Sequence, residues 1–504
     1  MKAWKELLRE EGSFPILAII MIGLLIFTGL AFMKWGADES WEARFEKAKL
    51  QAYYAAHAGL MDQGYNYLRT RKANEMTVGI WDQAGGTDVK TANNDQVATA
   101  TTWARGVSLN TGGTGLADFN FVEVKSVGAV DFQVGDDEMA TVKDSVTMVV
   151  KMLNVSNFLY LTNIETTMWG EVIKFFYLDT LNGWVHSNDT IALQGGGPPG
   201  GPVFFNRVST TAPIFNYWGN VTPYFAYPPM FNYREIKLPE TAVDVRAAAH
   251  AAGSYFPDDG SQWAFRLKFY ANGSAKLFRW PLGLPPDTTI TGQHASWGGF
   301  NWGAIFVDGY LEMEGLVNGV VTVGAHGSTD PADTGYHCIR LINDVRYHNS
   351  SPIDGFYVDT LQRSLLGIIS ESDIVVGNTW ANGKNNGWNR TNHNPDSSTI
   401  IVTGALVALG ESFTFEDQND NPNLWEYSRT FVGTTPDRRG EIFIRGALTQ
   451  YRRGYVHRST HGDTGYGKHY IYDRRLDKIA PPYFIQATDA TGAAHYEIIS
   501  WGNR

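Results

Sequence analysis

His186, Asn188 and Asp189 stand close together in Asn182-Gly183-Trp184-Val185-His186-Ser187-Asn188-Asp189, and an imidazole beside a carboxylate is a pairing that acid–base chemistry uses. The same residue types also close turns. Asn and Asp side chains hydrogen-bond the turn backbone, and a histidine there caps an adjacent rung. Two short strands flank the segment, which favours the turn reading. A second set, Asp417-Gln418-Asn419-Asp420-Asn421, begins as a calcium loop begins. Pro422 then stands where glycine is required and Ser428 where the bidentate glutamate belongs, so only a looser Ca²⁺ loop stays open. His457, His461 and His469 sit near Arg and Lys rather than carboxylates, a poor metal set. Asp258, Asp259, Glu312, Glu314 and Asp344 are carboxylates from which a glycosidase pair could be drawn, but nothing in the sequence sets a separation between any two. No nucleophile triad motif, phosphate loop or dinucleotide fingerprint is present. The reading is therefore non-enzymatic, with no catalytic residue, no cofactor and no metal.

Composition narrows the partners. The 504 residues carry a net charge of −11, against the excess of Lys and Arg that a phosphate-binding surface needs, so nucleic acid is excluded. Cys338 is the only cysteine, which rules out an intrachain disulfide and a thiolate zinc cage. Its strand-like flanks, Tyr336, His337 and Ile339, predict a buried, inert thiol. The 53 glycines, with many Asn, Asp and Thr, favour short strands and tight turns. The 16 Trp and 24 Tyr are mostly core, though rings exposed on a β face stack on sugars.

The elements that must position these residues begin with a helix. Residues 14–33 contain no Asp, Glu or Arg, and no Lys; at 1.5 Å per residue they span about 30 Å, one bilayer crossing. The run is longer than a secretory h-region and lacks a clean cleavage site after it, which predicts a retained anchor. Lys2, Lys5 and Arg9 before the run slightly favour an N-terminus inside. Beyond it Trp41, Phe45, Ala48, Ala52, Ala55, Ala56, Gly59 and Leu60 recur at three- and four-residue steps, one face of a continuing helix. The small residues on that face admit a close backbone, either that of the protein's own body or that of neighbouring subunits.

The rest alternates as strands do. Short β-branched runs bounded by Gly, Asn or Asp recur at residues 305–311, 315–323, 339–347, 365–376, 400–409 and 441–448. No single pair of such strands buries its apolar face alone, whereas stacked rungs do. The expected fold is mainly β with a long N-terminal α-helix: a parallel β-solenoid-like body with insertions, or alternatively β-sandwich domains. Residues 241–252 predict one short helix, and residues 263–280 a hairpin turning at Asn272-Gly273. The aromatic and cationic run Tyr466 to Leu476 predicts a packed cap on the solenoid end.

The N-terminus resembles PilX-like type IV minor pilins. The residues that carry this are Glu10-Glu11-Gly12, then Ser13-Phe14 and the apolar helix, then Ala52-Tyr53-Tyr54-Ala55-Ala56-His57-Ala58-Gly59-Leu60. His57 stands where the family usually has Glu, and Leu17 where major pilins carry a glutamate. The body is similar to large PilX-like surface proteins with a Gly-x-Val-His-Ser-Asn domain. It shows this in the 182–189 segment, in Leu365-Leu366-Gly367-Ile368-Ile369, in residues 466–476, in Pro481-Pro482-Tyr483-Phe484 and in Ser500-Trp501. The resemblance implies a leader ending at Gly12 and a mature chain starting at Ser13. It implies an assembly helix using Phe14, Leu17, Ala52, Ala55, Ala56, Ala58, Gly59 and Leu60.

The expected organisation is a leader at 1–12, a transmembrane and assembly helix at 13–72, a small β-rich domain at 73–165, first rungs at 166–234, an inserted subdomain at 235–302, and the main solenoid with its cap at 303–504. The expected protein is a single-pass bacterial inner-membrane protein with its body periplasmic or extracellular. It would act in type IV pilus or pseudopilus assembly or in surface adhesion. Its partners would be other pilin or pseudopilin subunits, the inner-membrane assembly platform, lipid along residues 14–33, and a surface glycan or a host or substratum ligand. The competing expectation is an anchored carbohydrate-active or carbohydrate-binding β-solenoid protein.

Overall fold

A long run of helix formers interrupted by no proline after residue 15 gives one unbroken helix, Ser13–Gly59. It is about 70 Å long and continues through a π turn, Leu60–Gly64, into Tyr65–Thr70. The computed structural model describes residues 13–71, 79–90, 97–107, 121–134, 138–167, 170–197, 200–257, 263–281, 293–298, 301–327, 339–383, 399–416, 438–458 and 464–503. Gly12, Asp258, Asp259, Cys338, residues 417–421, Ser428 and His461 lie outside them, and the expectations placed on those residues lie there too.

The second half of the helix lies on an antiparallel sheet: β1 (Asp82–Lys90), β2 (Val97–Val107), β3 (Phe121–Gln133) and β4 (Met139–Met152), in that order. The alternation in Phe121–Gln133 sends Val122, Val124, Val130 and Phe132 inward, where they meet Ala48, Ala52, Ala56, Leu60 and Leu68 in two adjoining apolar clusters. On the outer face Arg105 pairs with Glu123 directly across β2 and β3 at 2.6 Å. The sheet's fifth strand, Tyr496–Asn503, pairs antiparallel with β4. The end of the chain therefore belongs to the helix-bearing sheet rather than to the stacked body, a departure from the expected 303–504 unit. The alternating residues of the final strand carry no sign of which distant edge they will meet.

The body is a stack of parallel ladders. One ladder runs without a break through Tyr255–Phe256, Asn301–Asp308, Val320–His326, Leu365–Ser370, Ile400–Ala408, Arg438–Arg452, Tyr160–Ile164, Val185–Ser187 and Val208–Thr210. Each rung's inward β-branched and leucine side chains are buried on the next, contributing about 2 kcal/mol per large side chain. This is the expected mainly β architecture with a long N-terminal helix; the sheets are large and partly parallel, and no closed barrel is found among the described residues.

The order of the rungs differs from the order of the chain. The rungs of residues 160–210 stack beyond Arg438–Arg452, through Leu448 opposite Tyr160, rather than before Asn301–Asp308. Two expectations are corrected as a result. Residues 235–302 are not simply an insertion packed on the stack: Trp263–Phe269 pairs in parallel with Tyr310–Val317 and forms an end rung itself. The strand Thr464–Tyr472 is not an end cap, because it pairs with Arg438–Arg452 on one side and with Thr180–Asn182 on the other.

Local features follow the expected chemistry. The helix Val243–Ala252 ends at Gly253 in the left-handed conformation. The hairpin Trp263–Phe269/Ala275–Pro281 turns through Asn272 and Gly273. Within the ladder Gly446 lies on Gly404, both at positive φ (157° and 138°); a Cβ on Gly446 would sit 1.7 Å from the Gly404 carbonyl oxygen.

Candidate functional site

Two regions hold the residues singled out by their chemistry, and the structure assigns them different tasks. In the first, Trp184, His186 and Ser209 are brought together because Val185–Ser187 and Val208–Thr210 are neighbouring parallel rungs, with His186 opposite Ser209. The Trp184 indole N–H donates to Ser209 Oγ at 2.9 Å. Ser209 Oγ lies 2.8 Å from His186 Nδ1, and His186 Nε2 lies 3.0 Å from Asn188 Oδ1. An amide oxygen only accepts, so Nε2 carries the proton and Nδ1 accepts from Ser209. The Asn188 amide donates to Asn163 Oδ1 at 3.0 Å and to the Ile236 carbonyl at 2.6 Å. Asn188 Oδ1 also accepts from the Ile236 N–H. His186 is fully buried, and burial pushes its pKa down to about 4, so it is neutral at physiological pH. Asp189 accepts from the backbone of Glu165 and Thr190 instead of facing the imidazole. The cluster is a closed hydrogen-bond network that locks three rungs together.

The carboxylates are likewise committed. Parallel register aligns Arg266, Glu312 and Arg340 across three strands, and the buried Glu312 takes both guanidiniums, at 2.5 Å and 3.0 Å. Arg340 also forms a two-pronged pair with Glu416 at 2.6 and 2.7 Å. Glu314 pairs with Lys268 at 3.1 Å one step along the same strands. Asp344 accepts from the Ile401 N–H at 2.9 Å and lies 3.5 Å from Arg346. These are structural ion pairs holding rungs in register. His469 stacks on Phe443 and bonds Glu441 at 2.8 Å, while His457 lies in the short strand His457–Arg458. Among the described residues no three His, Cys, Asp or Glu side chains are grouped to hold a metal.

The second region is the helix. Its first half is bare: Phe14 and Phe27 are 73% exposed, Leu17 57% and Leu25 68%. Its second half is seated. Ala52, Ala55, Ala56, Gly59 and Leu60 are buried, and Ala58 is half-buried. The small residues are there because the sheet comes very close. A Cβ on Gly128 of β3 would lie 1.9 Å from the Ala52 carbonyl oxygen, and one on Gly59 2.6 Å from the Ala100 Cβ. Of the two partners the small face could have met, the one present is the protein's own sheet. Ala52, Ala55, Ala56, Gly59 and Leu60 pack on that sheet, one of the two packings expected for the small face. Phe14 and Leu17 remain open. Gly128 was missed in the sequence; a glycine interrupting the valine alternation of β3 was the available signal.

No family model matches the sequence, and no curated protein matches it. A solved structure to which the chain is similar is the competence-associated pilin ComZ from Thermus thermophilus. The match has 11% identity, covers 91% of this chain and 97% of that chain, and has a TM-score of 0.29.

Proposed function

We propose that the chain is a membrane-anchored, exported, non-enzymatic subunit of a type IV pilus or pseudopilus, of the PilX-like minor pilin kind. The supporting observation is the division of one continuous helix into a bare apolar half and a half bound to its own sheet. Fourteen large apolar side chains on residues 14–33 are exposed. Leaving them in water would cost on the order of 20 kcal/mol. The 18-residue window with mean hydropathy 2.7 is wholly unburied and long enough to cross a membrane. A helix of this kind needs lipid first. Once it leaves the bilayer it needs other apolar helices, and the rigid connection through residues 34–47 to the seated half would carry the body outward with it.

In this reading Gly12 ends the leader and Ser13 begins the mature chain. Phe14 and Leu17 face lipid in the inner membrane and then neighbouring subunits delivered by the assembly platform. The β body stands outside, and its bulk suits a filament tip better than a repeating position.

Expression of the full chain in a pilus-bearing host tests this. The wild-type chain is expected in the sheared-filament fraction. L24R, placing a charge mid-helix at a cost of about 3 kcal/mol, is expected to lose that incorporation while its body stays folded. Absence of the wild-type chain from filaments and from their tips contradicts the proposal.

A further inference from the structure

Where the two runs of rungs meet, the ladder is incomplete. On the Thr180–Asn182 side the strand Thr464–Tyr472 pairs only through Tyr470 and Ile471, whereas Gly467, Lys468 and His469 pair on the Glu441–Phe443 side. The unpaired stretch leaves a cleft of about 320 Å³ between residues 172–181 on one wall and residues 453–458 and 466–470 on the other. That volume is at the lower end of small-ligand clefts, about 300–1,000 Å³.

The chemistry of the walls is specific. Lys468 Nζ pairs with Asp179 at 2.7 Å, and His469 Nε2 lies 2.8 Å from Glu441. The buried Arg453 pairs with Glu165 at 2.8 Å and lies 3.7 Å over the Phe175 ring. Lys174 places its ammonium 4.2 Å over the Trp218 ring. Lys468 and Arg453 are each matched by a carboxylate and Lys174 by a ring, so an anionic ligand would find little uncompensated charge and would have to displace a carboxylate. The pairs nevertheless fix strong donors and acceptors in set directions. Between them stand aromatic faces, Tyr160 and Tyr470 stacked at 6.3 Å. Among the described residues the Tyr470 hydroxyl makes no hydrogen bond within the protein. Fixed donors and acceptors without net charge, together with ring faces, suit a ligand with many hydroxyls and an apolar C–H face.

We infer that this cleft binds a neutral saccharide, seated against Tyr470 with its hydroxyls bonded to the Lys468–Asp179 and His469–Glu441 pairs. The inference goes beyond the assembly role and uses no residue of the helix, so either can fail alone.

The test is calorimetric titration of the full chain in detergent with cellotriose, maltotriose, mannotriose and chitotriose, and with inorganic phosphate and a sulfated disaccharide as anionic arms. Saturable binding of at least one neutral trisaccharide is expected, weakened at least tenfold by Y470F combined with K468Q. E314Q, which alters an ion pair outside the cleft, is expected to bind as the wild type does. Thermal melts of the three proteins separate lost binding from lost folding; should the double variant melt early, K468Q alone carries the comparison. Binding of none of the neutral sugars, binding of the anions only, or binding unchanged in the cleft variants overturns the inference.

Discussion

Replacing Gly128 with valine is expected to lift the helix from its sheet and to lower stability by about 3 kcal/mol or more. The position is an ordinary strand residue by conformation, so the cost is steric: the first added carbon would already lie 1.9 Å from the Ala52 carbonyl oxygen and 2.6 Å from the Ala56 nitrogen. Backbone cannot yield as a flexible side-chain end yields. The helix must move, and the contacts of Ala48, Ala52 and Ala55 with Val130 and Phe132 loosen with it. Hydrogen exchange is expected to show lost protection of amides in residues 48–60, with the stacked ladders unchanged. Gly23, in the bare half, has nothing within 4 Å of a Cβ, so G23A is the matched control and is expected to change neither readout. Retained protection at residues 48–60 in G128V would mean that the seat is looser than the geometry describes.

The second large effect is acid sensitivity centred on His186. Its pKa is lowered by burial to about 4, against an ordinary value of 6.5. The unfolded chain therefore binds the proton first, and stability is full above pH 6.5 and is lost as pH falls towards 4. The difference corresponds to about 3 kcal/mol across that window. His495 is also lowered by burial and by Arg234, and it acts in the same direction, so the contribution of His186 is isolated by comparison. H186Q is expected to be less stable than the wild type at pH 7.5, by about 2–4 kcal/mol, because Ser209 and Asn188 lose a buried partner. It is expected to show a flatter decline between pH 6.5 and 4. Chemical denaturation at four pH values in that range reads both, and an unchanged acid slope in H186Q would contradict the network as drawn.

Elements whose cause is local were legible in the residues. The apolar run and its small-residue continuation gave away the helix. Alternating β-branched runs did so for the strands, and Asn272-Gly273 for the hairpin. Asp189 accepts from the Glu165 and Thr190 backbone, as an Asp in a turn would, whereas His186 is a strand residue that bonds the side chains of Ser209 and Asn188. What stayed hidden depends on register between segments far apart in the chain. Arg266, Glu312 and Arg340 become one ion-paired row only after three strands are aligned. Leu448 meets Tyr160, and Tyr496 meets Met152, through pairings that no local pattern encodes. The cleft arises from a pairing that stops at Tyr470, which is a property of the stack rather than of any segment. The small face of the helix could be read, but its partner could not: Ala52 and Gly128 are complementary only in space.

In the proposed pilin reading residues 14–33 form a processed assembly helix rather than a plain anchor. Mass spectrometry of the mature N-terminus tests it most directly, using the full chain produced in a cell that carries a prepilin peptidase. A chain beginning at Ser13, with residues 1–12 removed, is expected. A chain that keeps its leader, with Ser13 never terminal, would contradict the pilin reading while leaving the helix as a membrane anchor.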